Sequence, residues 1–162
     1  MCIYTYQMVG KQKPAARLRS DEIERIARTC VLLRVRRASR VVTQLYEQAF
    51  SSSDLHPMQF LLLIAVSRAG PAPVTALAEG LLLDRTTLTR NLAALVESKL
   101  VAIVPHPGDR RARIVTITPN GAEAIAGSYA LWQDAQDRVT EQLGEPHLGH
   151  AIAELDRLAS LE

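Results

Sequence analysis

Between Arg85 and Thr118 the chain changes its hydrophobic period from that of a helix to that of a strand, then turns back on itself. In "RTTLTRNLAALVESK", Leu88, Leu92, Leu95 and Val96 fall on one side of a helix at about 100° per residue. In "LVAIVPH" and "RARIVTIT" apolar residues alternate, and Pro107-Gly108-Asp109 between them supplies turn chemistry. A helix running directly into a β-hairpin leaves few architectures open, and the segments on either side narrow them further.

Upstream, Ser20 is an N-cap candidate with Asp21, Glu22 and Glu24 in the first turn, where carboxylates oppose the helix dipole. The helix it opens is expected to run to about Phe50, with Ile23, Ala27, Cys30, Val31, Ala38, Val41, Val42 and Leu45 in one stripe. "SSSDLHP" breaks it, and Pro57 opens a second helix that ends at Gly70. That helix is apolar almost all round and is expected to be buried. After the stiff "PAP", Val74 reads as a one-residue strand, and a short helix follows over about 75–80. Asp84 caps the helix that starts at Arg85. Beyond the hairpin, Thr118 N-caps a helix with Pro119 in first position, carrying Ile125, Trp132, Val139 and Leu143. A last helix after Gly144 and Pro146 presents Leu148, Ile152, Leu155 and Leu158.

The fold class that follows is mainly α with a small β-hairpin wing: a winged helix-turn-helix domain flanked by long dimerisation helices. The expected division is a flexible basic segment over residues 1–19 and a single domain over 20–162. Within the latter, 51–118 form the winged helix-turn-helix, and 20–50 and 119–162 pair two copies of the chain, because their apolar stripes exceed what one small core covers.

Net charge is only +2, so attraction to a polyanion has to come from local patches. One such patch is the hairpin tip, where Arg110, Arg111 and Arg113 crowd around the turn. Arg111 suits a narrow minor groove, and Arg110 and Arg113 suit phosphates. Asp109 reads as a brace for the tip, hydrogen-bonding turn amides or pairing with an arginine. Charge that protects a hairpin edge from aggregation is the alternative reading. With Leu88 inward, Thr86, Arg90, Ala93 and Glu97 come near the outer face of their helix, flanked by Thr87 and Thr89. Threonines there can bond bases or phosphates or offer a methyl to thymine, Arg90 can take guanine or phosphate, and Ala93 permits close approach. Arg85 beside the first N–H groups of the helix suits a phosphate. A solvated, well-capped helix face is the plainer alternative.

"LLLDRTTLTRNLAALVESKLV" followed by "PHPGDRRARIVTITPNG" resembles the MarR family of bacterial transcription regulators. The family's wing pattern, Asp-x-Arg, three residues, aliphatic-x-aliphatic-Thr, two residues, Gly, is met by Asp109, Arg111, Val115, Ile117, Thr118 and Gly121. "LRVRRASRVVTQLYEQAFSSSDLHPMQFLLL" is similar to the family's first helix and its entry into the second. The likeness spans roughly residues 20–145; Gly80 departs from it, standing where many members keep a helix former. The resemblance implies a dimeric repressor or activator of double-stranded operator DNA that answers to a small molecule, anionic or phenolic, or to an oxidant.

For such a sensor the residues leave alternatives. Arg34 falls inside the apolar stripe, where a cation needs a partner: a structural ion pair, a snorkelled position at a dimer seam, or an anionic ligand. His56 before Pro57 either lines a ligand cleft or is a loop residue. Cys30 is either a redox sensor, as in some members of the family, or a small buried hydrophobe. No metal-ligand spacing, phosphate-cradling glycine loop or nucleophile arrangement is visible, so neither a metal, a cofactor nor an enzymatic activity is expected. Two cysteines, no signal-peptide pattern and apolar runs as short as "FLLLIAV" lead to an expectation of a cytoplasmic, nucleoid-associated protein away from membranes.

Overall fold

The structure, a computed structural model of the chain, describes residues 17–74, 76–77, 85–106 and 108–161, with backbone alone for Arg85, His106 and residues 109–112. The N-terminal segment up to residue 16, most of the short helix expected over 75–80, Gly80, the Asp84 cap and Pro107 lie outside the described residues. Residues up to Arg40 and residues from Val41 onward form two units.

The first unit holds α1, Ser20–Thr29, and the start of α2, Val31–Ala49. The single helix expected from Ser20 to Phe50 is therefore two, broken at Cys30, whose ψ of 109° is extended. Thr29, Cys30 and Val31 are weak helix formers, and the Thr29 hydroxyl bonds back to the Arg25 carbonyl at 2.8 Å. Arg34 accommodates the break: its Nη2 donates to the carbonyls of Ala27 and Arg28, both at 3.2 Å, satisfying oxygens left over at the end of α1. The N-cap is Arg19 instead of Ser20. Glu22 accepts the Arg19 backbone N–H at 2.8 Å, and the Arg19 guanidinium reaches Asp21 at 3.1 Å, so an acid of the first turn does the capping.

In the second unit, α3 spans Pro57–Ala69 and stops at Gly70, whose φ of 67° is in the left-handed region that favours glycine. Phe60, Leu62, Leu63 and Val66 are buried, but Leu61 and Ile64 are exposed, so α3 is not covered all round as its composition led one to expect. Strand β1 is Ala72–Pro73, one step before Val74, which is already helical. An edge position tolerates the missing N–H of Pro73. Strands β2, Val101–His106, and β3, Asp109–Ile117, complete a three-stranded antiparallel sheet in the order β1-β3-β2. Asp109 belongs to β3, opposite His106, so the turn is shorter than expected.

Helix α4, Arg85–Glu97, precedes the hairpin; α5, Pro119–Leu143, and α6, Glu145–Ala159, follow it. One apolar core joins Phe50, Phe60, Leu63 and Val66 to Leu88, Leu92, Leu95, Val101 and Val115, with Ile117, Ile125 and Trp132 packed against it. The Phe50 and Phe60 rings tilt together at 5.4 Å. Mainly helical, with a small hairpin-bearing sheet, the architecture is that of a winged helix-turn-helix.

Candidate nucleic-acid interface

Three leucines set the orientation of α4. Leu88, Leu92 and Leu95 are buried, and with them inward, Thr86, Thr89, Arg90, Ala93 and Glu97 are exposed and Thr87 is half-buried. Val96, expected to face inward, is 38% exposed, because at this spacing it stands on the flank of the leucine row. Asn91 donates from Nδ2 to the Thr87 carbonyl at 2.9 Å, which leaves the outer row to threonine, arginine and alanine. Such a surface offers hydroxyls, a guanidinium and one place of close approach, the side-chain types that read base edges.

At the far end of the hairpin the pairing goes out of step. Pro105 pairs with Arg113 and His106 with Asp109, so β3 carries residues 110–112 with no counterpart on β2. The bulge places the backbone of Arg110 and Arg111 in the irregular stretch, where bulges re-aim side chains. Arg113, where regular pairing resumes, is exposed. The side chains of Arg85, Asp109, Arg110 and Arg111 lie outside the described ones.

Helix, wing and α5 meet in one knot. Helix α4 ends with Lys99 at φ 58°, and Leu100 N–H bonds to the Leu95 carbonyl at 2.8 Å, a left-handed C-terminal cap made without glycine. Thr118 then donates its N–H to the Leu100 carbonyl at 3.1 Å, and its hydroxyl lies 2.7 Å from the Lys99 carbonyl. The same hydroxyl accepts the Gly121 N–H at 3.0 Å as the N-cap of α5. The sequence shows Thr118 as a cap, and nothing in Thr118 itself says that it also holds the exit of α4. The small residue three places on, Gly121, is the signal that could have marked the contact.

The sensor candidates take different roles. Arg34 is exposed and engaged with the α1 carbonyls. Cys30 is a half-buried free thiol at the α1–α2 break. His56 is the N-cap of α3: its Nδ1 accepts the Met58 N–H at 3.3 Å, and Gln59 returns the bond to the His56 N–H at 2.9 Å. Its Nε2 lies 3.5 Å from Glu47. His56 also lines a cavity of about 320 Å³ with Val42, Tyr46, Met58, Leu61 and Trp132. Tyr46 donates to Gln136 Oε1 at 2.7 Å, and burial raises its pKa, keeping the phenol protonated. Among the described residues no cluster of three His, Cys, Asp or Glu could hold a metal, and no helix is long and apolar enough to cross a membrane.

Residues 53–112, which contain α3, α4 and most of the hairpin, match the model of the MarR family. The chain is 29% identical over 115 residues to the HTH-type transcriptional repressor NicR of Pseudomonas putida, covering 71% of this chain and 68% of that protein. The transcriptional regulator MosR of M. tuberculosis, solved in complex with DNA, is 32% identical, with a TM-score of 0.69 over 80% of this chain and 96% of MosR. BpsR of Bordetella bronchiseptica, whose DNA binding is regulated by 6-hydroxynicotinic acid, has the same fold. Its TM-score is 0.77 at 22% identity over 83% of this chain and 96% of BpsR. NicR and MosR are transcription regulators by name. The wing pattern, the helical order, the family match and the likeness to MosR converge: the chain belongs to the MarR family of transcription regulators.

Proposed function

We propose that the protein is a homodimeric repressor that binds a pseudo-palindromic double-stranded operator in a sequence-specific way and releases it in response to a small effector. The observation that carries the DNA reading is the outward row of α4, Thr86, Thr89, Arg90 and Ala93, held by the buried Leu88, Leu92 and Leu95. Thr86, Thr87, Thr89 and Arg90 meet base edges, Arg85, Arg110 and Arg113 meet phosphates, and Arg111 enters the flanking minor groove. Asp109 braces the tip. MosR, with a structure on DNA, and NicR, a repressor by name, support this reading.

The homodimer rests on apolar side chains that a monomer leaves in water. Ile152, Leu155 and Leu158 on α6 are exposed, as are Ile23 and Ile26 on α1. A two-fold pairing through residues 20–50 and 119–162 covers such surface, and it leaves residues 51–118 as the DNA-binding part. The effector site is the cavity at His56, with Tyr46 and Trp132 in its wall. An aromatic acid or phenol matches that lining, and BpsR answers to such a molecule.

Footprinting on DNA upstream of the protein's own gene tests the whole reading. Two protected half-sites about one helical turn apart are expected, and 6-hydroxynicotinic acid or another phenolic acid is expected to lift the protection. His56→Ala should keep the footprint and blunt its release. Absence of any footprint at low salt would leave a winged-helix module for protein partners as the better account.

A further inference from the structure

A second cleft, of about 640 Å³, opens between residues 52–55, the turn after α4 and the first half of α5, and shares no lining residue with the cavity at His56. Helix α5 gives it a low floor. Gly127 lies in this floor, and a Cβ there would meet nothing within 4 Å. Ser128 beside it is 5% exposed, and among the described residues its hydroxyl has no hydrogen-bond partner. Among the described residues no fully covered side-chain oxygen or nitrogen lacks a partner, so that hydroxyl reaches the cleft surface. Open to the cleft, that hydroxyl can both donate to and accept from a polar group of a ligand lying there.

The walls say what that group belongs to. Leu100 and Leu131 are apolar, and the one ionisable side chain in the lining is Asp54, which forms no ion pair among the described residues. A carboxylate ligand would meet Asp54 as a like charge, whereas an ammonium would be attracted to it. The volume lies within the range of small-molecule sites. We propose that this cleft binds a small primary amine with an apolar body: ammonium on Asp54, body over Gly127 between Leu100 and Leu131, and a polar end on Ser128. The site goes beyond the DNA reading and does not rest on it. Its occupant touches both the exit of α4 and the wall of α5.

Isothermal titration of the full chain with tyramine and phenethylamine, with 4-hydroxyphenylacetate as the carboxylate control, tests the site without DNA. Both amines are expected to bind, tyramine the tighter, and the carboxylate at least tenfold more weakly. Gly127→Leu fills open space with a better helix former, so it should fold and lose binding at least tenfold. Asp54→Asn, on an exposed loop, should weaken the amines about fivefold and remove the preference over the carboxylate. Ser128→Ala should reduce tyramine to the level of phenethylamine, and His56→Ala should change nothing. Failure of both amines to bind at millimolar concentration overturns the proposal. So does binding that survives Gly127→Leu and Asp54→Asn, or binding abolished by His56→Ala.

Discussion

The carbonyl oxygen of Leu100 stands where a Cβ on Gly121 would be, and Ile117 Cγ1 would lie 2.9 Å from that Cβ. Gly121 is therefore held to glycine by the backbone at the exit of α4 and not by its own dihedral angles. Gly121→Ala must push α5 away from the α4–β2 turn. Overpacking of this kind costs about 1–3 kcal/mol, and urea unfolding should show the midpoint falling by that amount at constant slope. An unchanged midpoint would mean that the contact yields freely.

Thr118 ties the same turn from the other side. Thr118→Ala removes the α5 N-cap and the bond to Lys99, and a cap of this type is worth about 1 kcal/mol. Thr118→Ser keeps the hydroxyl and should retain most of the stability in the same urea titration. Equal losses for the two variants would assign the effect to the methyl group instead.

Lys99 holds the left-handed region at φ 58° without being glycine. A side chain there costs roughly 1–2 kcal/mol, part of which returns as unfolded-chain entropy when glycine replaces it. Lys99→Gly should thus stabilise the protein by about 0.5–1 kcal/mol in thermal or urea unfolding. A loss of stability would contradict the cap described for α4.

Tyr46 gives a pH dependence. Burial raises its pKa above the ordinary phenol value of about 10. The folded chain therefore holds the proton more tightly than the unfolded one. The associated stability is fully present below the unfolded value and is lost as pH rises through the raised one. Tyr46→Phe should flatten the alkaline limb of a stability–pH profile, while giving up the bond to Gln136 at neutral pH, a loss of about 0.5–1.5 kcal/mol. An alkaline limb as steep as that of the parent would contradict it.

Period and punctuation made the winged helix-turn-helix readable: Leu88, Leu92 and Leu95 announced the inner face of α4, and Pro57, Gly70, Thr118 and Pro119 marked ends that the structure keeps. The break at Cys30 was not readable, because the apolar stripe runs through it and the interaction that sustains it is a side-chain-to-backbone bond from Arg34. Nor did composition show that Leu61 and Ile64 stay exposed, since a helix apolar on every side carries no sign of which side meets the core. At the site, the outer row of α4 was legible from its angle to the leucines. The bulge at residues 110–112 and the knot of Lys99, Leu100, Thr118 and Gly121 depend on register and backbone approach, which side-chain patterns do not encode.

Helix α4 and the wing are proposed to grip duplex DNA together. The most direct test measures the dissociation constant of the full chain for DNA upstream of its own gene between 50 and 200 mM salt, for the parent, Arg90→Ala and Arg111→Ala. If the protein neutralises about 6–10 phosphates, affinity should fall by about 10³–10⁵ across that range. Each variant should bind more weakly by about 1–3 kcal/mol where its arginine contacts a base, or lose about one unit of salt slope where it contacts a phosphate. Binding that ignores salt, or that both substitutions leave unchanged, would contradict the account.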